Sequence, residues 1–136
     1  MGKSTSLLSK AYMVEKQIEL PTASGRVVGP TVGAGTLVLA AGVELIDAVD
    51  DVTSYTVALN DETTTFMAAT SVDAASAGTF VYGTQTQAVI AAEDTIDAVA
   101  AISGSPAAAT ARVWAIVADV NEATKGADEV DRDYLA

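Results

Sequence analysis

The chain contains no cysteine and no histidine. Without cysteine it can form no disulfide, no thiolate nucleophile and no zinc–thiolate site. Without histidine it lacks the side chain that most often moves protons near neutral pH, and a Ser-His-Asp triad is impossible. Large rings are scarce too, with one Trp, four Tyr and two Phe in 136 residues. A core of Val, Ile, Leu and Ala with so few rings is thin, and such proteins often complete their burial against a neighbouring subunit. No apolar run approaches the roughly 18 residues of a membrane-crossing helix, so no membrane partner is expected.

Positive charge is missing from most of the chain. Residues 27–111 hold ten carboxylates and no Lys or Arg. Residues 1–26 set Lys3, Lys10, Lys16 and Arg26 against Glu15 and Glu19, for a net +2. Residues 112–136 set Arg112, Lys125 and Arg132 against six acids, for −3, and the whole chain carries −11. An acidic body repels nucleic acid, so no nucleic-acid partner is expected. The basic amino-terminal segment is suited instead to an acidic protein surface.

What is present reads as strands. Val14–Leu20 alternates with period two and stops at Pro21. Thr22–Gly35 is a turn-rich connector around Val27-Val28. Thr36–Ala41 and Val43–Val49 read as two strands divided by Gly42. Thr53–Leu59 and Thr63–Ala69 flank Asn60-Asp61-Glu62 and predict a hairpin. Thr79–Gly83, Ala88–Ala92 and Thr95–Ile102 follow. Arg112–Val120 is apolar on both faces, which predicts a central strand. Alanine favours helix at 88–101 and 107–118, but the density of Thr, Val and Ile with punctuating Gly favours strands. Val38–Val49 and Val89–Val99 echo one another through Ala-Ala and Ile-Asp-Ala-Val units. Two readings stand for that echo: equivalent hairpins in two halves of a sandwich, or convergence in an Ala/Val-rich chain.

The expected fold is all-β, a single β-sandwich or jelly-roll domain over residues 14–120. An amino-terminal arm (1–13) and a carboxy-terminal tail (121–136) extend from it.

No catalytic constellation emerges. Asp47, Asp50 and Asp51, with Asp61 and Glu62 elsewhere, offer the oxygen ligands of a possible cation site. They lack calcium-loop spacing and sit at strand ends, where carboxylates are solvated. Nothing selects a glycosidase carboxylate pair. A Ser–Lys dyad would need Lys3, Lys10, Lys16 or Lys125, all in flanking regions. No phosphate loop is present. The chain is therefore expected not to be an enzyme and to need no cofactor or metal. Trp114 beside Arg112 fits either a ligand-stacking pair or, more commonly, a core or subunit contact.

Three elements carry a family resemblance. They are the hairpin Thr53–Ala69 with Tyr55-Thr56-Val57-Ala58-Leu59-Asn60-Asp61, the Ala-Ala/Ile-Asp-Ala-Val units, and the late strand Arg112-Val113-Trp114-Ala115-Ile116-Val117-Ala118-Asp119-Val120. In texture these resemble the small decoration, or cement, proteins on bacteriophage heads, over about residues 14–120. The resemblance implies a jelly-roll-like sandwich that forms dimers or trimers on the outer capsid surface of the virion. There it would bridge neighbouring major capsid protein subunits against internal DNA pressure.

On that reading Lys3, Lys10, Lys16 and Arg26 are electrostatic contacts to the capsid, with Leu7, Leu8 and Tyr12 as anchors. Trp114, Tyr134 and Leu135 are subunit contacts. The alternatives are a head-fibre or tail component, and a soluble carbohydrate- or ligand-binding sandwich with a concave site lined by Tyr55, Tyr82 or Trp114.

Overall fold

The computed structural model describes residues 11–50 and 52–120. In chain order the strands are β1 (Ala11–Leu20), β2 (Gly25–Val27), β3 (Thr31–Val32), β4 (Thr36–Leu45), β5 (Val52–Asn60), β6 (Thr65–Ser71), β7 (Phe80–Val81), β8 (Ala88–Ile90), β9 (Asp94–Thr95), β10 (Asp97–Gly104) and β11 (Ala109–Asp119). The fold is all-β, a β-sandwich. One sheet runs β1-β11-β4-β7, with β8 also on β4, and the facing sheet runs β2-β10-β5-β6. A small β3–β9 ladder stands apart from both.

β11 lies between β1 and β4, antiparallel to each, in the central position that its two apolar faces require. Its Val113, Ala115 and Val117 are fully buried and join Val38, Val43 and Leu45 of β4 in the core. Tyr55, Val57, Leu59, Phe66 and Ala98 enter the same core from the other sheet. Each fully buried Val, Leu or Phe contributes about 1.5–3 kcal/mol relative to exposure.

The 53–69 hairpin forms as β5 and β6. Asp61 Oδ1 accepts from Thr63 N at 3.0 Å and Thr64 N at 2.6 Å, and Glu62 takes the left-handed φ of 74° that this turn needs. The outer edge of β6 is covered by residues 84–86. Ala68 N donates to Thr84 O and Thr86 N to Phe66 O, both at 2.9 Å. β1 has no such cover among the described residues.

Three expectations change. β1 begins at Ala11 instead of Val14, because residues 11–13 continue the pairing with β11 as far as Ala118. Thr36–Ala41 and Val43–Val49 are not two strands: β4 runs unbroken through Gly42, for a reason that belongs to the outer face of the sheet. The 38–49 and 89–99 echo does not make equivalent hairpins. The first copy lies mostly inside β4, and the second is divided among β8, β9 and β10. The equivalent-hairpin reading is thereby removed.

One polar cluster is built into the sandwich. Asp97, at the start of β10, is buried and accepts from Thr95 Oγ1 (2.6 Å), Arg26 Nη1 (3.0 Å) and Gly29 N (3.3 Å). Arg26 Nη2 also donates to Asn60 Oδ1 at 2.7 Å. A buried carboxylate needs such compensation, since an unpaired charge there costs several kcal/mol.

Candidate interaction surface

Successive residues of a strand face opposite sides of the sheet. With Val113, Ala115 and Val117 turned into the core, Arg112, Trp114 and Ile116 occupy the outer face of β11. Register brings Met13 beside Ile116 and Glu15 beside Trp114 from β1. From β4 it brings Gly42 opposite Trp114 and Glu44 opposite Arg112. Phe80 of β7 pairs with Glu44, and Tyr82 follows just beyond that strand. All of these except Gly42 line an open depression of about 450 Å³.

The floor depends on a missing side chain. A Cβ added at Gly42 would stand 2.5 Å from Cζ2 and 2.8 Å from Cε2 of Trp114, and 3.1 Å from Val81 O. Glycine therefore lets the indole settle onto the sheet, where Trp114 is only 8% exposed. Tyr82 meets it edge-on, with centroids 5.5 Å apart and planes at 75°, a favourable aromatic geometry. The Trp114 Nε1–H is buried and has no hydrogen-bond partner among the described residues.

The walls are less covered. Met13 is 55% exposed, Phe80 55% and Tyr82 59%. Arg112 Nη1 is bonded to Glu44 Oε1, and its Nε lies 3.9 Å from Glu15 Oε2. The two carboxylates outnumber the guanidinium, so the depression carries net negative charge. Tyr, Trp, Phe, Met and Arg are the residue types enriched where proteins meet, and all five are gathered here.

The anticipated site residues fall differently. Trp114 is at the centre of this surface. Tyr12 is exposed on β1 opposite Val117, hence on the other side of the sheet from Met13. Lys16 is exposed on that same side, opposite Val113. A charge turned inward on an edge strand discourages edge-to-edge pairing. Arg26 is engaged within the molecule, by Asp97 and Asn60 and by Glu62 at 3.6 Å. Lys3, Leu7, Leu8, Lys10, Tyr134 and Leu135 lie outside the described residues.

Tyr55 is withdrawn from any surface site. It is 1% exposed, its hydroxyl donates to Pro21 O at 2.6 Å, and burial pushes its pKa up to about 12. The acidic group also disperses: Asp61 caps its turn and Asp47 Oδ2 accepts from Thr110 N at 3.0 Å. Among the described residues no three acids are placed to hold a metal ion.

Nothing local in the sequence marks Met13, Glu15, Gly42, Glu44 or Phe80 as site residues. They converge only through the β1-β11-β4-β7 register, which joins residues about a hundred positions apart. Strand alternation on β11 was the one signal that pointed to this face.

No family model and no curated protein matches the chain. Solved structures do. The fold is similar to a chain of the cyanophage Pam1 capsid asymmetric unit, with a TM-score of 0.60 and 17% identity, covering 79% of this chain and 84% of that one. It is also similar to a chain of the acid-stable capsid of Helicobacter pylori bacteriophage KHP30, with a TM-score of 0.53 and 14% identity, covering 78% of this chain and 86% of that one. The likeness is one of fold, shared with chains of phage capsid structures.

Proposed function

We propose that this protein is a non-enzymatic virion component that decorates and stabilises a phage capsid from its outer surface, bridging major capsid subunits. The observation that carries the reading is the shared fold, which spans nearly four fifths of the chain in both capsid structures. The jelly-roll assignment draws support from how consecutive strands change sheets. β1 to β2, β4 to β5, β6 to β7 and β10 to β11 all cross between the two main sheets, and β5–β6 alone are consecutive neighbours within one. Such double-sheet crossing typifies jelly rolls, an architecture common in capsids.

On this reading the basic arm meets the shell, with Lys3 and Lys10 as charged contacts, Leu7 and Leu8 as apolar ones, and Tyr12 and Lys16 at its root. Arg26 contributes by holding the Asp97 cluster instead of contacting the shell. Copies on the shell meet one another, as dimers or trimers, through the Trp114 face. The test is co-sedimentation with undecorated shells of the virus that encodes the chain. Saturable binding supports the reading, as does its loss on deletion of residues 2–10. Shells that stay bare at saturating protein overturn it.

A second reading has one observation in its favour. The depression lined by Tyr82, Trp114 and Phe80, with Glu15, Glu44 and Arg112 at hand, has the aromatic and polar composition of a small-ligand site. Titration with neutral oligosaccharides, followed at the single indole N–H, distinguishes it: saturable shifts favour a ligand-binding sandwich.

A further inference from the structure

Rings and carboxylates share the Trp114 depression. Phe80 and Tyr82 are more than half exposed, and Glu15 and Glu44 set two carboxylates against the one guanidinium of Arg112. We infer that the depression receives a basic peptide segment of another protein, an Arg or Lys side chain lying against these rings and carboxylates. The preceding reading brings copies together at this face without saying what offsets their like charge. This inference rests on it only in treating the face as a contact surface.

Chemistry selects the occupant. A ring face attracts a cation, and the attraction grows as water leaves the contact. Glu15 is the more open carboxylate, its side chain 56% exposed and 3.9 Å from Arg112 Nε, whereas Glu44 is 23% exposed and bonded to Arg112 Nη1. Glu15 is therefore placed to take up a second cation through a charge-assisted hydrogen bond. Met13 and Ile116 supply an apolar wall for the methylene stem of an Arg or Lys. The buried Trp114 Nε1–H has no partner among the described residues. A peptide carbonyl is an acceptor that a bare ammonium or guanidinium ion lacks, and it reaches the indole once one of the exposed rings turns aside. A peptide segment bearing Arg or Lys meets ring, carboxylate, apolar wall and donor together.

Charge excludes the sandwich of a second copy as the source. Residues 27–111 contain neither Lys nor Arg. Among the described residues the cations are Lys16, Arg26 and Arg112. Arg26 is held by Asp97 and Asn60, and Arg112 by Glu44. Lys16 lies on the other side of β1, opposite Val113. Two depressions facing one another would set Glu15 and Glu44 against their equals. A contact between copies at this face therefore gains from a basic segment that enters between them.

The test uses the full chain, whose one tryptophan gives a single indole N–H resonance in 15N-labelled protein. The probe is a blocked peptide of alternating Leu and Arg. Two control peptides keep its length, one with citrulline in place of Arg and the other with Glu. We expect the Arg peptide to move the indole peak saturably, the citrulline peptide to bind about tenfold more weakly and the Glu peptide not to bind. Added salt should weaken the Arg peptide. Glu15→Gln and Tyr82→Ala should each weaken it severalfold. Glu62→Gln removes the same charge from the facing sheet and should leave binding unchanged, with urea midpoints confirming that each variant is folded. An indole peak unmoved at saturating Arg peptide overturns the inference, and so does equal binding of the citrulline peptide. Equal weakening by Glu62→Gln assigns the binding to the overall charge of the sandwich and overturns it too. A peak that moves with protein concentration but not with peptide gives the depression to a second copy, again overturning it. None of these measurements involves a capsid, so the decoration reading and this inference can fail separately.

Discussion

Gly42 lies directly opposite Trp114 on the neighbouring strand, and the indole occupies the space where a Gly42 side chain would stand. The pair explains why β4 crosses a glycine without breaking and why the only tryptophan sits on the outer face of the sandwich instead of in its core. Gly42→Ala should force the indole off the sheet. Overpacking of this kind costs about 1–3 kcal/mol, read from urea midpoints at unchanged slope. Trp114 emission should move to the red in the same variant. Unchanged stability together with unchanged emission would show that the contact is not what seats the ring.

Arg26 and Asp97 form a second dependence. Arg26→Ala leaves the buried Asp97 carboxylate without its cation, and a loss of about 3 kcal/mol is expected. Asp97→Asn keeps the shape and should cost less. Chemical denaturation at neutral pH checks the order. If Asp97→Asn is the more damaging change, the charge at Arg26 is not the compensating element.

Tyr55 makes stability depend on alkaline pH. Burial raises its pKa from 10.0 to about 12, so the folded state holds the phenolic proton where the unfolded chain releases it. The contribution is complete below about pH 10 and falls away as pH rises through about 12, by roughly 2–3 kcal/mol at most. Tyr55→Phe should flatten that part of the curve. It should also lower stability at neutral pH by about 1 kcal/mol, because Pro21 O loses its donor. Paired melts of both proteins between pH 8 and 12 test this, and parallel curves would rule out Tyr55 as the source.

Phe80 separates folding from assembly. More than half of its surface is open, so Phe80→Ser should change stability by no more than about 0.5 kcal/mol. On the proposed reading it should nevertheless lower the cooperativity of shell coverage, since copies meet through this face. Binding isotherms on undecorated shells measure the effect. Wild-type cooperativity in this variant would remove Phe80 from the contact between copies.

The fold was legible where a pattern is local. Arg112–Val120 reads as central because both faces are apolar, and the 53–69 hairpin reads from alternation around Asn60-Asp61-Glu62. Gly42 reads as a break because local rules treat glycine as punctuation. Only the indole on the next strand shows why it is there. The Ala-Ala/Ile-Asp-Ala-Val echo leaves two readings open because similar apolar strings serve one long strand in one place and three short ones in another. The candidate surface was legible only at Trp114. Met13, Glu15, Glu44 and Phe80 reach it through register, and register between distant strands leaves no mark on a single sequence.

The position of β11 sets the order of events in biosynthesis. β1 and β4 leave the ribosome long before the strand that joins them, so for most of translation the first sheet exists as two separated halves with open hydrogen-bonding edges. The sandwich closes only when residues 109–119 slot between them, a long-range pairing that is slow and leaves the nascent chain exposed to aggregation. A message truncated before codon 109 would therefore yield no smaller version of this protein. It would yield a chain whose first and fourth strands are looking for each other, and expression at reduced temperature or beside a chaperone should raise the soluble fraction of the full-length product.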